Sequence, residues 1–161
     1  MQELLDLTVG LPEQVVEPGQ SLVVEGDAAR DVFVLLEGRL ALRQGGVDVL
    51  ELTEPGACIG ERGVFLHRAH TSSVVAVERT RVRVIADAAS TLQDNPAILF
   101  AAATLLARRI EMVEHYLSDI QDQYGDHEGG LGLVGQVLTN LSSHHGDHIT
   151  PGSDREPDPL Y

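Results

Sequence analysis

Gly56-Ala57-Cys58-Ile59-Gly60-Glu61, followed by the polar run Arg68-Ala69-His70-Thr71-Ser72-Ser73, is the stretch on which the reading of this chain turns. Two glycines four residues apart bracket a short apolar segment, and the second is followed at once by a carboxylate. Glycine lets a main chain approach a ligand closely. Amides at the start of a short helix point toward negative charge. A carboxylate beside them accepts a hydrogen bond from a hydroxyl, and an Arg or His can face an oxyanion. The stretch therefore reads as a holder for a small anion that also carries hydroxyls.

Working outward, the flanks read as strands. Gln14–Glu17, Ser21–Glu25, Val32–Glu37, Leu40–Gln44, Val47–Leu52 and Val74–Val77 are β-branched or aliphatic and bounded by turn residues. Gly45-Gly46 separates two of these runs, which predicts a hairpin. Arg81-Val82-Arg83-Val84 alternates polar and apolar, as a half-exposed strand does. Residues 1–11 read as a short lead-in. Many short strands with glycine-rich turns predict a mainly β fold, an antiparallel jelly roll or barrel with short flanking helices.

At Asn95-Pro96 the periodicity changes. Asp94 or Asn95 can cap a helix, Pro96 suits its first turn, and helical character continues to about Tyr124, before Gly125. Leu106, Ile110, Val113, Leu117, Ile120 and Tyr124 are spaced 4, 3, 4, 3 and 4, a heptad stripe. A helix lying only on its own barrel would show a broader apolar face. The stripe predicts a two-helix seam and a homodimer, with a helix that merely covers the barrel as the alternative. Residues 1–124 thus form one domain that includes the helix over about 96–124. Residues 125–161 read as a polar hinge, a short amphipathic helix over about 131–143 (Leu133, Val134, Val137, Leu138, Leu141) and an acidic tail.

Charge narrows the partners. The net charge is −14, and all eleven basic residues are arginine. A duplex-DNA binder needs a basic face, and this composition offers none. No apolar run approaches membrane-spanning length, and the start has no basic region of a signal peptide. One cysteine excludes an intrachain disulfide and fits a cytoplasmic location. Cys58 itself reads as a buried, inert thiol. His144, His145, Asp147 and His148 could ligate a metal, but such spacing in a tail rarely closes a site, so no metal or other cofactor is expected.

The 56–73 stretch resembles the phosphate-binding cassette of cyclic nucleotide-binding domains, as in bacterial Crp/Fnr-type regulators. Glu17-Pro18-Gly19-Gln20, Glu25-Gly26-Asp27 and Val32-to-Gly38 resemble that domain's successive landmarks, in its order, over roughly residues 12–124. The resemblance implies a non-catalytic sensor or regulatory module that binds cAMP or cGMP and passes the signal through the long helix to an unknown protein partner. Gly60 would admit the ligand and Glu61 would accept from the ribose hydroxyl. The cation is ambiguous: His70 stands at the family's arginine position by count, whereas Arg68-Ala69-His70-Thr71 matches the local pattern two residues early. Thr71 and Ser72 would donate hydroxyls in either register. Those regulators usually carry a winged helix-turn-helix; the 37 residues after Tyr124 hold one basic residue and are too short and too acidic for it. Two alternatives remain. One is a degenerate copy of the fold that serves as a protein-interaction module. The other, a minor one, is a cupin-like metal enzyme suggested by His67 and His70, although the paired-His motif of cupins is missing.

Overall fold

A computed structural model describes residues 1–124. The hinge, the helix expected over 131–143 and the His144–His148 cluster lie outside the described residues. Among the described residues, eight strands form two four-stranded antiparallel sheets. They are β1 (Glu13–Val16), β2 (Ser21–Val23), β3 (Val32–Glu37), β4 (Leu40–Gln44), β5 (Val47–Leu52), β6 (Cys58–Ile59), β7 (Ser73–Ala76) and β8 (Thr80–Ile85). One sheet runs β1-β8-β3-β6 and the other β2-β7-β4-β5. This is the antiparallel jelly-roll architecture expected, with every expected strand present, and the two sheets do not close into a barrel. Four helices accompany it: α1 (Gln2–Leu7), α2 (Glu61–Phe65), α3 (Ala88–Asp94) and α4 (Pro96–Tyr124).

The short lead-in of residues 1–11 holds α1, one of the short flanking helices expected. Leu4 is its one fully buried side chain and joins the core. Thr8 ends the helix, its hydroxyl donating to the Leu4 carbonyl at 2.7 Å. Arg83 of β8 ties this end down, with Nη1 donating to the Leu5 carbonyl at 2.6 Å and Nε lying 3.6 Å from a Glu13 oxygen. With so few apolar residues in one and a half turns, α1 carries little periodic signal of its own and depends on this docking.

The core is divided by β3. Alternate residues of a strand point to opposite faces. Phe33 and Leu35 pack between the sheets with Val16, Leu40, Ile59, Val74 and Val82. Val32 and Val34 pack on the other face with Leu4, Val64, Ile85, Leu92 and Ile98, beneath the helices. The residues Val32–Leu35 are therefore buried on both sides. At the far edge, β5 is largely exposed, and Arg43 pairs with Asp48 across the β4–β5 hairpin. The hydrogen bond that Arg43 donates to Asp48, and then the charge of that carboxylate, raise the Arg43 guanidinium above its ordinary value.

The long helix begins where expected. The Asn95 carbonyl accepts from the Leu99 N–H at 3.1 Å, the opening main-chain bond of α4, while Asn95 Nδ2 donates to the Thr91 carbonyl at 2.7 Å and closes the end of α3. Ile98, Ala101 and Ala102 are buried against the core. The compact unit that holds both sheets runs from Met1 to Ala107, and α4 continues past it from Arg108. On that continuation, Ile110 and Val113 are about half exposed, at 52% and 50%. Leu117 and Ile120 are intermediate, as Leu106 is before them.

Candidate functional site

The site grows out of the turn from β6 into α2. Gly60 has φ +89, a left-handed conformation that glycine adopts without cost. A Cβ there would lie 2.9 Å from the Asp31 carbonyl oxygen and 3.5 Å from Cε1 of His70. Gly63, one turn on, is more confined. A Cβ would fall 2.4 Å from Ala29 Cβ, 3.1 Å from the Arg68 carbonyl oxygen and 3.3 Å from His70 Nδ1. The two glycines let the first turn of α2 sit directly against the residue-29 loop and against the imidazole of His70.

The position of His70 is fixed by main-chain pairing. Its N–H donates to the Asp27 carbonyl and its carbonyl accepts from the Gly26 N–H, both at 2.9 Å. Ala28 bridges Ala69 beside them. The segment from Gly26 to Ala28 and the segment from Ala69 to His70 thus form a small ladder over α2. Arg68 lies just outside it. Its main-chain N–H donates to the Gly63 carbonyl at 3.0 Å, and the residue is exposed, whereas His70 is half-buried.

Glu61 opens α2 and is only 4% exposed. A carboxylate is seldom so buried unless it is paired or hydrogen-bonded. At the first position of a helix it also meets the favourable end of the peptide dipoles. Ser72 is buried as well, at 6%, while Thr71 is exposed. Of the expected site residues, Gly60, Glu61 and His70 are therefore drawn together at the start of α2. Ser72 lies on the adjoining run into β7. Arg68 and Thr71 are on the surface of the same loop. Arg62, next to Glu61, is exposed, and Cys58 is buried in β6.

Two contributors were not singled out from sequence, Gly63 and Ala29. Their signal was weak: Gly63 lies within Gly-Glu-Arg-Gly, a spacing consistent with a close helix approach, and Ala29 is small where a larger side chain would strike α2. Helix α2 also borders an apolar cleft of about 200 Å³, shared with α3 and the start of α4 and lined by Val64, Phe65, Leu92 and Leu99 among others. His67 lies on its rim with φ +50, which turns the chain out of α2.

Residues 13–90 match the family described as the cyclic nucleotide-binding domain. They belong to that family. The strand order, the glycine-bounded turn and the buried Glu61 all fall within this cyclic nucleotide-binding domain. Solved structures share its fold. Catabolite activator protein of Thermus thermophilus superposes with a TM-score of 0.60 at 20% identity, covering 94% of this chain and 88% of that one. A regulatory subunit of a cAMP-independent protein kinase A from Trypanosoma brucei superposes with a TM-score of 0.51 at 21% identity, covering 58% and 35%. In sequence, the chain is 30% identical over 115 residues to lysophospholipase nte1 of Neurospora crassa. That match takes in 66% of this chain but spans only 8% of the relative.

Among the described residues, no three of His, Cys, Asp and Glu converge as metal ligands would. No helix among them is long and apolar enough to cross a membrane.

Proposed function

We propose that this protein is a non-catalytic cytoplasmic sensor that binds cAMP or cGMP at the start of α2 and reports occupancy through α4. The observation that carries this reading is the buried Glu61 beside the Gly60–Gly63 turn, with an imidazole packed against the same turn. A cyclic nucleotide offers a phosphodiester anion to the amides and the cation, and a ribose hydroxyl to the carboxylate. The cleft under α2 gives the response a route, because α2, α3 and α4 share it and can repack around it. A ligand shifts such an equilibrium only through its difference in affinity for the two arrangements. Isothermal titration calorimetry with cAMP and with cGMP tests the reading. Saturable heat with either supports it, and no heat with both at millimolar ligand overturns it.

The second reading, an interaction module on a fold that no longer binds nucleotide, is favoured by one feature: the side chain in the corner is His70, while Arg68 is exposed. The same titration separates the two.

The seam on α4 supports a homodimer. Ile110 and Val113 are exposed apolar residues at heptad spacing on a helix that has already met its own core with Ile98 and Ala101. A charge placed in a two-helix seam is costly. Ile110→Asp with Val113→Asp is expected to convert a dimer to a monomer in sedimentation equilibrium. A wild-type mass equal to that of the double variant would remove the seam.

A further inference from the structure

We infer that nucleotide binding is linked to uptake of one proton by His70, so that this sensor reads its ligand and pH together. The inference rests on the nucleotide-binding reading and deepens it. Its footing is the position of the ring. Cε1 and Nδ1 of His70 lie 3.5 and 3.3 Å from where Cβ atoms on Gly60 and Gly63 would stand, which places the imidazole against the turn that would receive the phosphodiester. The 2.9 Å hydrogen bonds to Asp27 and Gly26 hold its main chain on both sides, so the ring is presented by a ladder rather than by a free loop.

The chemistry follows from the residue type. Arginine is charged at every working pH, whereas an imidazole ordinarily titrates near 6.5. A phosphodiester is a monoanion throughout this range. When it meets a neutral imidazole, one proton is drawn from solvent and the complex forms as imidazolium and anion. When it meets an imidazolium, no proton moves. Affinity should therefore be highest at acidic pH and fall as pH rises through the imidazole range.

Other charged groups are carried by the segments packed on this ring. Helix α2 brings Glu61 and Arg62, the paired segment brings Glu25 and Asp27, and Arg30 and Asp31 precede β3. The Glu25 carboxylate accepts from the Gly45 N–H at 3.2 Å, and the Asp31 carboxylate from the Asp87 N–H at 3.0 Å. The ring's own segment brings Arg68. A window from pH 5.5 to 8.5 brackets the ordinary imidazole value, and the His70→Ala variant separates this ring from the carboxylates around it. His67 is the neighbouring imidazole in sequence. It is exposed, and asparagine tolerates its left-handed backbone.

The test is calorimetry of the full chain with cAMP and cGMP from pH 5.5 to 8.5, in buffers of differing ionisation heat. Wild type is expected to lose affinity on the order of 100-fold across the window if only the imidazolium binds, and to take up about one proton at the alkaline end. His70→Arg should bind with a flat profile and no proton uptake, and His67→Asn should keep the wild-type slope. A second readout does not depend on the variants folding: the NMR titration midpoint of the His70 ring should rise when nucleotide is added. Wild-type binding with a flat profile, or a slope that survives in His70→Ala, overturns proton linkage and leaves the nucleotide reading standing. No binding by any variant at any pH overturns both.

Discussion

Gly38→Ala is expected to destabilise the domain by more than about 3 kcal/mol, enough to unfold much of a marginal population. Gly38 turns β3 into β4 with φ +100, and its Cβ would lie 2.6 Å from Thr80 Cα and 2.9 Å from the Arg79 carbonyl oxygen. Both are main-chain atoms, so no rotamer change relieves the overlap. The left-handed backbone adds about 1 kcal/mol or more for any residue with a Cβ. Thr80 cannot retreat easily. It is fully buried, its hydroxyl donates to the Glu78 carbonyl at 2.8 Å, and it accepts from the Arg39 N–H at 3.1 Å. Gly46→Ala is the matched control: φ is +84, but nothing lies within 4 Å of its Cβ, so only the conformational cost of about 1 kcal/mol applies. Urea unfolding of the two variants reads the difference. Equal losses would mean that packing on Thr80 contributes nothing beyond backbone strain.

Glu61→Ala is expected to weaken cyclic nucleotide binding by about 10- to 100-fold, the loss of one hydrogen bond to a charged group. Glu61 is 4% exposed, so unfolding free energy is measured beside affinity to separate a binding loss from a folding loss. Glu61→Gln keeps a carbonyl acceptor in place and should fall between alanine and wild type. Arg62→Ala, one residue along and exposed, should bind as wild type does. An unchanged affinity in Glu61→Ala, measured beside a wild type that binds, would remove this residue from the site.

The roll was legible because its signals are local. Alternation in Arg81-Val82-Arg83-Val84, the Gly45-Gly46 hairpin and the unbroken Val32–Leu35 run each report burial directly, and Asn95-Pro96 marks the start of α4. The short helices were less legible. Helix α1 is held by Leu4, Thr8 and the reach of Arg83 from a strand 78 positions away, a contact no window of sequence contains. Helix α3 has a backbone start at Asp87 with φ +44, without a side-chain cap, so it lacks the usual opening signature. Within the site, Gly60 and Glu61 announced themselves by type and order. The choice between Arg68 and His70 could not be made from spacing, because the pairing of Gly26–Ala28 with Ala69–His70 determines which side chain turns toward α2. Gly63 was missed for the same reason: its need to be small comes from Ala29, 34 residues earlier.

The double-sided burial of β3 has a mechanical corollary. A partition loaded from both sides cannot bend without opening a void on one face or overlap on the other, and close-packed interiors resist both. The sheet built on β3 should then behave as a fixed anvil. On the proposed sensor reading, what a bound effector would displace is whatever rides on that surface, namely the three helices around the cleft, and the amplitude of the response would be set by how far they can slide before Val32 and Val34 lose their cover.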